Sequence, residues 1–152
     1  MKRLITGFAF LAMSFSVMAA PVNGAFGYNI GQAVNVSSLQ PISDGNSDPS
    51  AKTASYSITP LDQNTSFTDY SITVNSQDSK IVAINATKNF ANSDSCINSL
   101  NEMKKMLNKQ YSDKVVVGNP AGVFIMDNSN SNSLQLGCAD TTMQISIMTN
   151  KM

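Results

Sequence analysis

The sequence contains no histidine and no tryptophan, one arginine at Arg3 and one glutamate at Glu102. Without histidine, neither a Ser-His-Asp nor a Cys-His nucleophile arrangement can be assembled. Paired carboxylates for acid–base chemistry would have to be aspartates, because Glu102 has no second glutamate to work with. The Ser-x-x-Lys pattern is missing too, since no serine stands three residues before a lysine. The basic side chains that remain are scattered lysines, so the clustered Arg/Lys footprint that clamps phosphates is absent and nucleic acid is not an expected partner. Cysteine is confined to Cys96 and Cys138. A zinc site on two cysteines would need two further ligands, and no histidine is there to supply them. No catalytic residue, no cofactor site and no metal site is expected.

Long apolar runs are lacking everywhere except at the start. Met1-Lys2-Arg3 is followed by an apolar stretch from Leu4 to Met18, interrupted only by Thr6, Gly7, Ser14 and Ser16. A charged head, a short apolar stretch and small residues at its end describe a secretory signal peptide. Val17 and Ala19 are the small side chains that the peptidase accepts, whereas cutting after Ala20 would place Pro21 at the scissile bond. Cleavage is therefore expected after Ala19, leaving residues 20–152 as one domain of about 130 residues. The stretch is shorter than the ~20 apolar residues that span a bilayer, and no cysteine near it offers a lipid attachment. No stable membrane anchor is expected after cleavage, and the location is expected to be periplasmic or secreted.

Both cysteines lie in the exported part. An even count in an oxidising compartment predicts a disulfide between Cys96 and Cys138. Closing a loop of roughly forty residues removes on the order of 4 kcal/mol of unfolded-chain entropy.

Hydrophobic periodicity predicts an α+β fold, a mostly antiparallel sheet with one amphipathic helix on one face. In Asp69–Asn75, Tyr70, Ile72 and Val74 alternate with Ser71 and Thr73, the period of a half-wet strand. Lys80–Thr87 returns with Val82, Ile84 and Ala86 on one side. Phe26, Tyr28 and Ile30 alternate as one short strand, and Ala54–Thr59 as another. Lys114–Gly118 and Val123–Met126, apolar on both faces, flank the turn Asn119-Pro-Ala-Gly122 and read as central strands. Ser133–Cys138 and Thr141–Asn150 complete the set, with Leu134, Leu136 and Cys138 on one face and Met143, Ile145 and Ile147 on another. Residues 41–53 have turn chemistry and read as a flexible polar loop, and Asp127–Ser133 as a polar turn.

The helix is expected over residues 94–111. Asn92, Ser93 and Asp94 offer capping oxygens, and Asp94 also complements the helix dipole. Cys96, Leu100, Met103 and Leu107 form the apolar stripe, with Ile97 and Tyr111 beside it, and Glu102, Lys105 and Lys109 lie opposite. Cys96 on this stripe and Cys138 on a strand's apolar face are brought together when the helix packs on the sheet.

Three weaker patterns read as ordinary structure. Asp44-Gly-Asn-Ser-Asp48 has the spacing that opens a calcium loop, but Pro49 replaces the needed glycine and Ser55 the bidentate glutamate. Met103, Met106, Met143, Met148 and Met152 are of the residue type that binds soft metals, yet Met103 and Met143 fall on core faces and read as core packing. Tyr28, Tyr56, Tyr70 and Tyr111 among many asparagines fit a β-sheet better than a sugar site.

The run Tyr56-x-Ile58-Thr59-Pro60, then Phe67-x-x-Tyr70, an Ile/Val-rich return strand and a cysteine-bearing helix ending Lys109-Gln-Tyr111 resembles a pattern in small exported bacterial proteins of unassigned function. The resemblance spans about residues 26–111. Leu61 stands in place of a second proline and Ser112 in place of a helix-ending glycine. It implies export and an α+β fold, and no activity.

The function expected from these residues is that of an exported, non-enzymatic protein-binding module whose partner is another protein, such as an immunity protein or an inhibitor of a toxin or hydrolase. The alternatives are a small periplasmic hydrolase using Asp, Tyr or Lys, which needs those groups converging in a cleft, and a surface or assembly subunit, which needs an open sheet edge.

Overall fold

The computed structural model describes residues 21–42, 52–61 and 66–150 of the chain. The expected leader (1–19), the middle of the 41–53 segment, Asp44, Asp48 and Met152 lie outside the described residues.

The fold is α+β: among the described residues, an antiparallel sheet of eight strands with one α-helix. The strands that build it are β3 (Gln40–Pro41), β4 (Thr53–Ser57), β5 (Asp69–Asn75), β6 (Ile81–Asn89), β7 (Val115–Asn119), β8 (Gly122–Asp127), β9 (Asn132–Ala139) and β10 (Thr142–Thr149). Their spatial order is β3-β4-β5-β6-β10-β9-β8-β7. Two meanders, one before and one after the helix, are therefore joined where β10 pairs with β6. The two ends of the segment read as a polar loop, Pro41 and Thr53, belong to strands β3 and β4.

Strand alternation sets which face is buried. Ile72 and Val74 of β5, Ile84 and Ala86 of β6, Met143, Ile145 and Ile147 of β10, Leu134 and Leu136 of β9 and Val123 and Ile125 of β8 form one core. At the start of β6 the alternation breaks. Val74 pairs with Ile81 while Thr73 pairs with Ala83, so Val82 is the extra residue of a bulge. Ile81, 1% exposed, takes the inward place expected of Val82, which stays half-buried.

Two covers lie on that core face. The first is helix α1 (Ser93–Gln110), which packs against β8, β9 and β10. Asn92 is its cap, with Oδ1 accepting the Ser95 N–H at 2.8 Å. Cys96, Leu100 and Leu107 are buried beneath it, Met103 is half-buried, and Tyr111 closes its C-terminus at 4% exposure. Cys96 and Cys138 are joined by a disulfide across 6.2 Å of Cα separation.

The second cover is the segment 21–42. Phe26, Tyr28 and Ile30 do not make one strand. Gly24–Ala25 (β1) and Tyr28–Asn29 (β2) pair with each other in a small hairpin. Its turn residues Phe26 and Gly27 have φ of +57° and +85°, the signature of a two-residue turn with both centres left-handed. The bend aims the Phe26 ring inward, edge-on to Phe67 at 5.8 Å and Tyr70 at 5.0 Å between ring centroids. Further on, Gly31 and Val34 donate to the Ile81 and Ser79 carbonyls, fastening the segment beside β6.

One expectation about strand placement is overturned. β7 was expected to be central, but it is the outermost strand, and Val116 and Val117 are 38% and 62% exposed. Apolar residues on both faces fit a strand sandwiched on both sides; here they sit on an edge instead.

Candidate functional site

Two places concentrate polar side chains, and they lie on opposite faces of the sheet.

The first surrounds Asp127 on the covered face. The alternation Val123, Ile125, Asp127 carries this carboxylate inward, to 1% exposure. Its Oδ2 accepts the Val22 backbone N–H at 3.0 Å. Its Oδ1 accepts the Ser129 hydroxyl at 2.6 Å and the Ser129 N–H at 3.1 Å, and Lys114 Nζ stands 3.6 Å away. The Val22 carbonyl accepts Asn130 Nδ2 at 3.0 Å and Asn132 Nδ2 at 2.8 Å. Both backbone groups of one fully buried valine are thus held by side chains from the end of β8, the start of β9 and the turn between them. Burial alone would raise the Asp127 carboxyl, but the Ser129 hydroxyl, the Val22 and Ser129 amides and Lys114 outweigh it and hold the group below its ordinary value. Nearby Tyr111 is pushed up by burial and then by the Asp127 charge. Lys114 is raised chiefly by its hydrogen bond to Asp113, 2.9 Å away.

The second place is the opposite face, which none of the described residues covers. Pairing registers give its rows directly. One runs Val117, Phe124, Gln135, Ser146, Asn85, Ser71, Ser57 and Gln40 across the whole sheet. A neighbouring row runs Asn119, Gly122, Gly137, Gln144, Thr87, Asp69, and a third contains Met126, Ser133, Met148, Ala83 and Thr73. Asp69 is the only charged residue in these rows. Hydroxyl and amide side chains bond to one another across strands, as in Ser146 to Asn85 at 2.7 Å and Ser55 to Thr73 at 3.1 Å. Over β7–β10 the face is hollowed into a groove of about 520 Å³, with Phe124 and Met148 among Gln135, Gln144 and Ser146. Its floor depends on glycine: a Cβ on Gly122 would come within 2.8 Å of the Leu136 carbonyl oxygen.

The remaining sequence candidates disperse. Tyr28 donates to the Thr59 carbonyl and Tyr70 to that of Phe67. Tyr56 packs against the edge of the core. Met143 is buried under the covers, Met148 faces the groove and Met106 is 58% exposed on the helix, so the structure does not bring them together. Ser55 sits in β4 bonded to Thr73, and Glu102 pairs with Lys105 at 2.7 Å on the exposed side of the helix. Sequence reasoning treated Asp127 as the first residue of a turn. The alternation that buries Val123 and Ile125, carried two residues further, is the signal that would have found it. Among the described residues no helix is long and apolar enough to cross a membrane, and no cluster of three or more His, Cys, Asp or Glu forms a metal cage.

No family model, curated protein or solved structure matches the chain.

Proposed function

We propose that this is an exported, non-enzymatic module that binds another protein through the bare face of its sheet, in the manner of an immunity protein or an inhibitor of a toxin or hydrolase. The observation that carries the reading is the asymmetry of the two faces. One is sealed by the helix and the N-terminal segment; the other is left open by the described residues, almost uncharged, with an aromatic ring and methionines among amides and hydroxyls. Interface cores are depleted in charge and enriched in aromatic residues and Met, because desolvating them costs little and buries much apolar area. The disulfide accords with an oxidising compartment, and the leader-like residues 1–19 support export to the periplasm or beyond.

A second reading, a small hydrolase using Asp, Tyr and Lys, draws on Asp127, Tyr111 and Lys114, which do converge with shifted titration. Their geometry favours a structural role. Asp127 is buried under Val22, and both its oxygens accept hydrogen bonds from the protein itself.

A photo-crosslinking side chain placed at Phe124, and separately at Met106 on the helix, tests the first reading in cells that make the protein. The expected result is one adduct formed from Phe124 and not from Met106, whose partner loses enzymatic activity when purified wild-type protein is added. Equal adducts from both positions would sink the assigned face; a partner whose activity is unchanged would sink the inhibitor role.

A further inference from the structure

We infer that β7 is a self-association edge, along which two copies of this chain pair antiparallel about a two-fold axis at Val117. Sheet edges are usually shielded by shortness, proline, charge or a bulge, because their unpaired backbone groups recruit other strands. The edge at β3 follows this rule, with two residues of which one is Pro41. The edge at β7 does not. It runs five residues, Val-Val-Val-Gly-Asn, in unbroken register with β8 and without proline or charge. It also exposes two large apolar side chains, Val116 and Val117.

The backbone specifies the occupant. Asn119 and Gly122 face each other across the Pro120–Ala121 turn, Val117 faces Phe124 and Val115 faces Met126. In an antiparallel ladder, alternate residues bond to the same neighbour. Val115, Val117 and Asn119 therefore bond to β8, and Val116 and Gly118 direct their N–H and C=O groups outward. An antiparallel second copy satisfies all of these groups in one register: Val116 opposite Gly118 of the other copy, Gly118 opposite its Val116, and Val117 opposite itself. Val117 is then a non-hydrogen-bonded pair, the type with the closer Cα atoms, about 4.5 Å apart.

Charge permits this pairing. No residue of the strand is ionisable, so no like charges meet across the axis. The flanking Lys114 is already held by Asp113 and Asp127. Lys104, which donates to the Asn119 carbonyl at 2.7 Å, lands at opposite ends of the seam in the two copies. The result is one continuous sheet whose two grooves meet along Val117 and Phe124. This inference does not depend on the proposed function, and either can fail alone.

Single substitutions Val117→Cys, Val116→Cys and Leu61→Cys, each on an exposed residue of the full chain, test it under mild oxidation after folding. Val117→Cys should give a disulfide-linked dimer roughly tenfold faster than either control, with the Cys96–Cys138 bond retained in the peptide map, because only residue 117 meets its own copy. Sedimentation of the unmodified chain should show mass rising with concentration, and Val117→Lys should abolish the rise while matching the melting temperature of the unmodified chain at dilutions where that chain is monomeric. Cross-linking of Val117→Cys no faster than Leu61→Cys, or an unmodified chain that stays monomeric throughout a dilution series, overturns the proposal.

Discussion

The helix and the N-terminal segment do the same work, covering the core face of one sheet, yet they are fastened by different chemistry. Helix α1 is tied by a covalent bond between Cys96 and Cys138, backed by the Leu100 and Leu107 side chains. The N-terminal segment is tied by polar contacts, Asp127, Asn130 and Asn132 gripping the backbone of Val22, together with the Phe26 ring against Phe67 and Tyr70. The difference follows from what each cover can bury. An amphipathic helix presents a continuous apolar stripe; a glycine- and asparagine-rich segment presents isolated apolar residues and must satisfy its backbone elsewhere. One fastening should respond to reductant and the other to acid.

The largest effect expected is from removing the disulfide. Replacing both Cys96 and Cys138 by Ser should lower stability by about 4 kcal/mol, since the loop of 42 residues is no longer closed in the unfolded chain. Urea unfolding measures this, and hydrogen exchange should show α1 loosening before residues 22–30. Next comes Asp127→Ala, expected to cost about 3 kcal/mol because it strands the buried Val22 amide and leaves Lys114 without its inner partner. Exchange of the 22–30 amides should then accelerate while α1 remains protected. If both covers loosen together in either variant, the two fastenings are one cooperative unit and the distinction fails. A smaller loss, about 1 kcal/mol, is expected for Asn92→Ala, which deprives the Ser95 amide of its cap.

The smallest effect is a slope. Because the folded Asp127 carboxyl lies below its ordinary value, its contribution is complete above the unfolded value and is lost as pH falls through the folded one. Stability of the wild type should therefore decline on acidification, and the decline should be shallower in Asp127→Asn. Identical slopes in the two proteins would show that Asp127 does not govern the acid response.

Much of this architecture was legible in the sequence, and the parts that were not share a cause. Asp69–Asn75 was read with its observed bounds, the helix within one residue at each end, and the cysteine pair from two independent periodicities. Each of these signals is local, repeating within a few residues. Val82 was misplaced because a bulge, which depends on the partner strand, resets the alternation. Phe26 was misread because its left-handed turn is stabilised by Phe67 and Tyr70, more than forty residues away. β7 looked central because three consecutive valines are indifferent to which neighbour buries them. For the candidate sites, composition gave only scattered lysines and a lone glutamate, and strand order was needed to show that, among the described residues, one face of the sheet carries no cover. Asp127 needed the partner Val22, 105 residues distant, to become more than the start of a turn.

The covalent ring closed by Cys96 and Cys138 encloses most of the helix, β7, β8 and most of β9. The exposed turn at Pro120–Ala121, between β7 and β8, lies inside that ring. A protease that nicks the chain there produces two pieces that remain one molecule, indistinguishable by size from the intact chain until a thiol is added. The strand edge at β7 can thus be clipped without being shed.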